Sequence, residues 1–261
     1  MKIIVCIKQV PETTSVKIDP KTHTLIREGV KSIINPFDMN AIETALQIKE
    51  SQSGEVVAIS MGPPQAEEAL REAISLGVDD AILLSDKVFA GADTLATSYT
   101  LSMGIKKIGK FDLIICGKQA IDGDTAQVGP ELAEKLDIPQ ICWVRKIVEI
   151  KNQTLRVERV LEDGYEVVEA QLPVLLTVVK EINEPRLPSL RGKLTAKKKE
   201  IPIWGAQELG ILPEQVGLAG SPTQVIRTFT PPPRKDRKIL QGEVKDIVTE
   251  LVSELKGRKI I

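Results

Sequence analysis

Residues 111–136 read FDLIICGKQAIDGDTAQVGPELAEKL. Phe111–Cys116 is apolar and rich in β-branched residues, as a strand buried on both faces tends to be. The stretch from Gly117 has no periodicity, and 125–136 returns to helical spacing. Strand, glycine-bearing loop and helix in that order mark the carboxyl edge of a parallel sheet. Open α/β proteins take ligands there, and a helix N-terminus offers free N–H groups to an anion. The run matches neither GxGxxG nor GxxxxGK[ST], so spacing alone leaves two readings open. In one, Gly123 and Gly129 let the backbone approach a phosphate while Thr125 and Gln127 supply hydrogen bonds. In the other, Asp122 and Asp124 simply cap the helix.

The alternation extends outward from this stretch. Upstream, Ile3–Ile7, Glu55–Met61 and Ala81–Leu84 read as buried strands. Helices are expected over 38–50, where Ala41, Ile42, Ala45 and Leu46 share a face, after Pro63-Pro64 with Gly77 past the end, and over 93–108. The fold class predicted is α/β: a doubly wound, mostly parallel, Rossmann-like sheet. Val16–Ile18 and Thr24–Ile26 interrupt it as a small hairpin. Beyond Pro139, runs over 140–150, 153–161, 165–170 and 174–179 predict an antiparallel extension of the same sheet.

From Asn183 the chain loosens, and residues 201–220 carry Pro and Gly with little periodicity. Pro231-Pro232-Pro233 predicts a stiff spacer, followed by a helix from about Gly242 with an apolar stripe of Val244, Ile247, Val248, Leu251, Val252 and Leu255. That stripe must be covered by its own domain or by another subunit. The organisation expected is a nucleotide-binding domain over 1–200 and a C-terminal extended arm and helix over 201–261. Two other strand-to-helix entries, Asn35-Pro36-Phe37-Asp38 and Met61-Gly62-Pro63-Pro64, are each explained by capping and turn chemistry. Three entries along one sheet can nevertheless line one crevice.

Composition narrows the function. Lys and Arg number 35 against 36 Asp and Glu, and aromatics make up 3%, which argues against a nucleic-acid surface. No apolar run is long enough for membrane insertion. Cys6, Cys116 and Cys142 are isolated, which fits a reducing, cytoplasmic setting and argues against a disulfide framework or a metal site. The single histidine, His23, lies in the turn-like run Asp19-Pro20-Lys21-Thr22-His23, so hydrolase and metalloenzyme readings are poor and no catalytic side chain is expected.

Asn35-Pro36-Phe37, Gly117-Lys118-Gln119-Ala120-Ile121-Asp122 with Gln127 and Gly129, Asn183-Glu184-Pro185-Arg186 and Ala196-Lys197-Lys198-Lys199 together resemble the β subunit of electron-transfer flavoproteins, along essentially the whole chain. The resemblance implies a heterodimer with an FAD-carrying α subunit, on which the C-terminal arm would dock. It also implies an adenine nucleotide in this subunit, held by Cys6, Asn35, Pro36, Phe37, Asp38, Met61, Gly123, Asp124, Thr125, Ala126, Gln127, Val128, Gly129 and Pro130. Residues 183–199 resemble the family's partner-recognition loop, with Leu190 and Arg191 at its tip and an FAD-dependent dehydrogenase of acyl-CoA, enoyl-CoA or 2-hydroxy acid type as partner. One branch of the family binds AMP in this subunit. The other binds a second FAD that takes hydride from NADH and bifurcates the electrons, one going to ferredoxin. The AMP branch has an acidic residue, an Asn and a Gln where this chain has Gly123, Ala126 and Pro130. Lys8-Gln9-Val10-Pro11 and Leu161–Tyr165 also resemble the bifurcating branch, so FAD is the cofactor expected.

Overall fold

Side chains leave a strand alternately on its two faces, and the first strand, β1 (Lys2–Cys6), is buried through both. Ile3 and Val5 enter one apolar cluster while Ile4 and Cys6 enter another, so the strand is covered on both sides. The structure, a computed structural model, describes residues 1–12, 17–18, 25–26, 32–226, 229 and 238–261, with the backbone alone at 17–18 and 25–26. His23 and the expected spacer Pro231–Pro233 lie outside the described residues.

The elements in chain order are β1, β2 (Gln9–Pro11), β3 (Lys17–Ile18), β4 (Leu25–Ile26), β5 (Ser32–Ile34), α1 (Pro36–Gln52), β6 (Glu55–Met61), α2 (Glu67–Leu76), β7 (Asp80–Leu84), α3 (Thr94–Ile108), β8 (Leu113–Gly117) and α4 (Val128–Leu136). They continue as β9 (Gln140–Lys151), β10 (Thr154–Leu161), β11 (Gly164–Gln171), β12 (Val174–Val178), α5 (Leu190–Lys198), β13 (Ile203–Trp204), α6 (Ala206–Leu209) and α7 (Val244–Gly257). Nine strands form one sheet in the order β11-β10-β9-β12-β8-β1-β6-β7-β13. Only the β9–β10 and β10–β11 pairs are antiparallel. β3 and β4 pair as the expected hairpin.

Helices α1 and α2 bury Ala41, Ile42, Leu46, Leu70 and Ile74 on one face of the sheet. Helices α3 and α4 bury Leu101, Ile105, Leu132 and Ala133 on the other. The sheet is therefore doubly wound. Its strand order reverses at β1: β6 and β7 continue to one side, while β8 and β12 lie on the other.

Two expectations are corrected. β12 belongs to the parallel core, between β8 and β9, rather than to the antiparallel extension. Every one of its residues is buried, which only a central position allows. Second, residues 190–198 form a helix, capped by Ser189, whose hydroxyl accepts from the Gly192 N–H. The first compact unit runs from Met1 to Ile226. Within it β13 extends the sheet beside β7, and Leu209, Ile211 and Val216 are buried singly, without a period that a sequence pattern would reveal. The second unit spans Arg227–Ile261. Lys238, ahead of α7, pairs with Glu250 at 2.9 Å and Glu254 at 2.6 Å on the helix, where Val248, Leu251 and Val252 are exposed. No described helix is long and apolar enough to cross a membrane.

Ile114, wholly buried at the centre of β8, tests this core. Ile114→Ala is expected to lower the unfolding free energy by about 2–5 kcal/mol, read from urea denaturation with an unchanged m value.

Candidate nucleotide site at the sheet switch point

Where strand order reverses, the loops leaving two neighbouring strands diverge and leave a crevice at the carboxyl edge. Here those strands are β1 and β8, whose last paired residues are Cys6 and Cys116. The Cys6 thiol, and after it burial, pushes the Cys116 thiol well above its ordinary range. Cys116 is therefore a packing residue with no thiolate character.

Asn35 and Asp38 at the start of α1 knit the crevice together. Asn35 makes no side-chain bond to cap its own helix. Its Nδ2 instead donates to Asp38 Oδ1 at 3.0 Å and to the Gln119 carbonyl at 2.9 Å. Its Oδ1 accepts the Ile121 N–H at 3.1 Å. Asp38 Oδ2 accepts the Lys8 N–H at 2.8 Å. The β1 exit, the α1 start and the β8 loop are thus held as one piece. A Cβ on Gly117 would lie 2.3 Å from Asp38 Oδ1 and 2.7 Å from the Phe37 backbone, so only glycine lets α1 approach β8 this closely. Burial pushes the Asp38 carboxyl up to about 7, against the lowering effect of the Asn35, Lys8 and Gly117 donors.

The loop from Gly117 to Gln127 carries two non-glycine residues in the left-handed region, Asp124 at φ 56° and Ala126 at φ 55°. Such conformations cost about 1–2 kcal/mol each and concentrate at functional sites. They also delay the helix, which starts at Val128 rather than at the expected Thr125. The capping reading of Asp122 and Asp124 does not hold. Asp122 pairs with Lys8 Nζ at 2.6 Å, and Asp124 accepts from the Gln119 amide. The N-cap position belongs to Gln127, which makes no side-chain cap bond, so no N-cap side chain occupies the first-turn N–H groups of α4.

Other observations bear on whether a nucleotide fits. A Cβ built on Gly123 meets no heavy atom within 4 Å, so the loop is open there. At the adjoining starts of α3 and α4, Thr94 Oγ1 donates to Glu131 Oε1 at 3.0 Å, while Glu131 Oε2 is buried without a partner. Burial raises the Glu131 carboxyl, with Asp93 adding to the rise. A ligand hydroxyl would satisfy such an oxygen, at present short of a donor. Glu131 lies within the 123–134 stretch that the resemblance assigns to the nucleotide, whereas Thr94 falls outside the residues singled out from sequence. Thr94 follows β7 as a further strand-to-helix entry, a signal that could have found it.

Of the predicted site residues, Cys6, Asn35–Asp38 and the 123–130 segment converge on this crevice. Gly129 sits under the loop, where a Cβ would lie 2.6 Å from Thr177 Cγ2 and 3.8 Å from the Cys116 Cβ. Val128 packs into the cluster beneath, and Met61 lines the cleft next to Asp122. Pro36 and Pro130 occupy first turns of α1 and α4. Leu190 and Arg191 lie elsewhere, on α5 against α2. Leu187, Leu190 and Leu194 are 90%, 78% and 57% exposed. Asn183 and Arg186 anchor this region to α1. Asn183 Nδ2 donates to Thr44 Oγ1 at 2.8 Å, and Arg186 pairs with Glu43 at 2.7 Å and Glu50 at 2.6 Å.

Residues 22–209 match the electron transfer flavoprotein domain family. The chain is 55% identical, over the full length of both proteins, to the electron transfer flavoprotein subunit beta of Thermoanaerobacterium thermosaccharolyticum. It is 53% identical, again over both full lengths, to the caffeyl-CoA reductase-Etf complex subunit CarD of Acetobacterium woodii. It is also 45% identical to Protein FixA of Sinorhizobium fredii, covering 98% of this chain and 93% of that one.

Asp38 gives a pH signature of known sign. With a folded value of about 7 against an ordinary 3.8, the folded chain holds a proton that the unfolded chain releases. Asp38 therefore makes stability fall as pH rises through that window, by up to about 1.4 kcal/mol per unit. Asp38→Asn is expected to remove this component, flattening the melting temperature between pH 5 and 7 relative to the parent. A parent and variant with parallel profiles would contradict it.

Proposed function

The chain belongs to the electron transfer flavoprotein family as a β subunit, and from that membership we propose that it binds FAD, not AMP, at the β1/β8 switch point and serves electron bifurcation. Its partner is the FAD-carrying α subunit. FAD held here would supply acceptance of a hydride from NADH and division of its electrons between a low-potential acceptor of the ferredoxin type and the α-subunit FAD, which serves a flavin dehydrogenase.

The observation that carries FAD over AMP is the open space at Gly123, beside an α4 N-terminus without a side-chain cap. A pyrophosphate needs both a donor array and room on its far side. The residues here do the binding. Val128 and Gly129 offer N–H groups to phosphate, Glu131 and Thr94 face sugar or ribityl hydroxyls, and Asn35 and Asp38 keep the loop in register. The described side chains offer no nucleophile–base pair at the crevice, and none is required, since orientation and tuning are the protein's share of such chemistry. The name of the Acetobacterium relative favours a CoA-thioester dehydrogenase as the onward partner. Leu190, with Arg191 beside it, is proposed as the anchor for that enzyme, and the exposed stripe of α7 as the face that grips the α subunit. The setting proposed is cytoplasmic.

Nucleotides extracted from the purified heterodimer are expected to be FAD from both subunits, without AMP, and NADH is expected to bleach the flavin directly. AMP in equal amount to a single FAD would overturn the proposal in favour of a plain electron carrier. Leu190→Ser is expected to weaken dehydrogenase docking by about 1–2 kcal/mol, seen as a raised KM for the flavoprotein with unchanged nucleotide content.

A further inference from the structure

Helix α5 buries a single residue, Ala196, yet it packs closely on α2. Gly192 is what lets it come so near. A Cβ built there would lie 2.1 Å from the Ser75 carbonyl oxygen and 3.0 Å from the carbonyl carbon, in the last turn of α2. Both obstructing atoms are backbone and cannot swing aside. The same geometry brings the Gly192 Cα within Cα–H···O reach of a carbonyl at a helix end, where intrahelical donors run out. Glycine in a helix interior loses backbone entropy on folding, and alanine would make α5 the better helix. Glycine at 192 thus serves the contact with α2 and not the helix itself.

Residues four apart on a helix share a face, and residues two apart lie on opposite sides. Gly192 and Ala196 form the face turned to α2, so the exposed pair Leu190 and Leu194 forms the face turned outward. The separation of the two helices, set at Gly192, therefore fixes how far those leucines project. The exit of α5 is held independently. Arg71 of α2 donates to the Ala196 and Lys199 carbonyls, and Lys199 Nζ pairs with Asp80 at 2.6 Å.

We infer that Gly192 is a positioning residue for dehydrogenase docking: by seating α5 on the Ser75 carbonyl it sets the height at which Leu190 meets the partner. The inference rests on the reading of Leu190 as the docking anchor. It is tested in the intact heterodimer with an FAD-dependent acyl-CoA dehydrogenase as the probe, following electron transfer as heterodimer concentration is varied. Gly192→Ala is expected to raise KM for the heterodimer about three- to tenfold, with kcat, nucleotide content and direct bleaching by NADH unchanged. In a Leu190→Ser background the same substitution is expected to add nothing, because a residue acting through Leu190 has nothing left to position.

A Gly192→Ala chain that leaves KM unchanged while Leu190→Ser raises it overturns the inference and leaves the docking reading standing. So does a Gly192→Ala effect that adds in full to that of Leu190→Ser, or one that lowers kcat or nucleotide content along with docking, since each marks a merely structural role. If Gly192→Ala yields no folded heterodimer, Arg71→Met carries the test by the same criteria. It frees the exit of α5 without crowding any backbone, and the same rise in KM, absent in the Leu190→Ser background, is expected. A parent that does not couple to the probe, or a Leu190→Ser chain that docks like the parent, overturns this inference and the docking reading together.

Discussion

The carboxyl edge of this sheet depends on the buried hydrogen-bonded knot between Asn35 and Asp38. One carboxamide satisfies a carboxylate, a carbonyl and an N–H from segments more than eighty residues apart in sequence, and the carboxylate in turn takes the Lys8 N–H. Strand exits tend to splay when their polar groups face water. Here they converge because leaving any of these groups unpaired inside the protein would cost about 1–3 kcal/mol apiece. Gly117 is the geometric condition for the knot, since a side chain there would occupy the place of the Asp38 carboxylate. The raised carboxyl of Asp38 is the electrostatic cost of building the crevice in a dry place.

The starts of α3 and α4, joined by the Thr94–Glu131 hydrogen bond, are treated differently. At α3, Asp93 accepts the Ala96 N–H and the terminus is closed. At α4 the nearby acidic side chains are turned away to Lys8 and Gln119. That removes a difficulty visible in the sequence, where two aspartates beside a loop proposed to hold phosphate look repulsive. Their charges are engaged laterally, and the helix end remains electropositive.

The sheet was legible because its strands are buried on both sides, and such strands must be continuous apolar runs such as Ile3–Ile7 and Glu55–Met61. The turn chemistry of Pro64 and Gly77 was equally plain. Helix α5 was not legible because it buries only Ala196, so there is no apolar stripe to read. The packing of 201–226 was hidden for a related reason, with single residues such as Val216 filling gaps at the sheet edge. At the site, sequence reading found the loops but assigned Asn35 a capping role. Its real partners are 84 and 86 residues away, and no local pattern encodes a bond of that span. The resemblance to a known family, rather than periodicity, picked out Leu190 and the Asn183–Arg186 stretch. The structure adds what that stretch does, with Arg186 clamped between Glu43 and Glu50.

That clamp bears on recognition. Helix α5 is fastened at its entry by Asn183 and Arg186, and at its exit by Arg71, which donates to the Ala196 and Lys199 carbonyls. Three exposed leucines are thus presented on a scaffold already frozen before any encounter. Little ordering entropy remains to be lost on association. Complexes of the kind proposed for this face should form at rates limited by orientation and diffusion, and differences among partners should appear as differences in residence time.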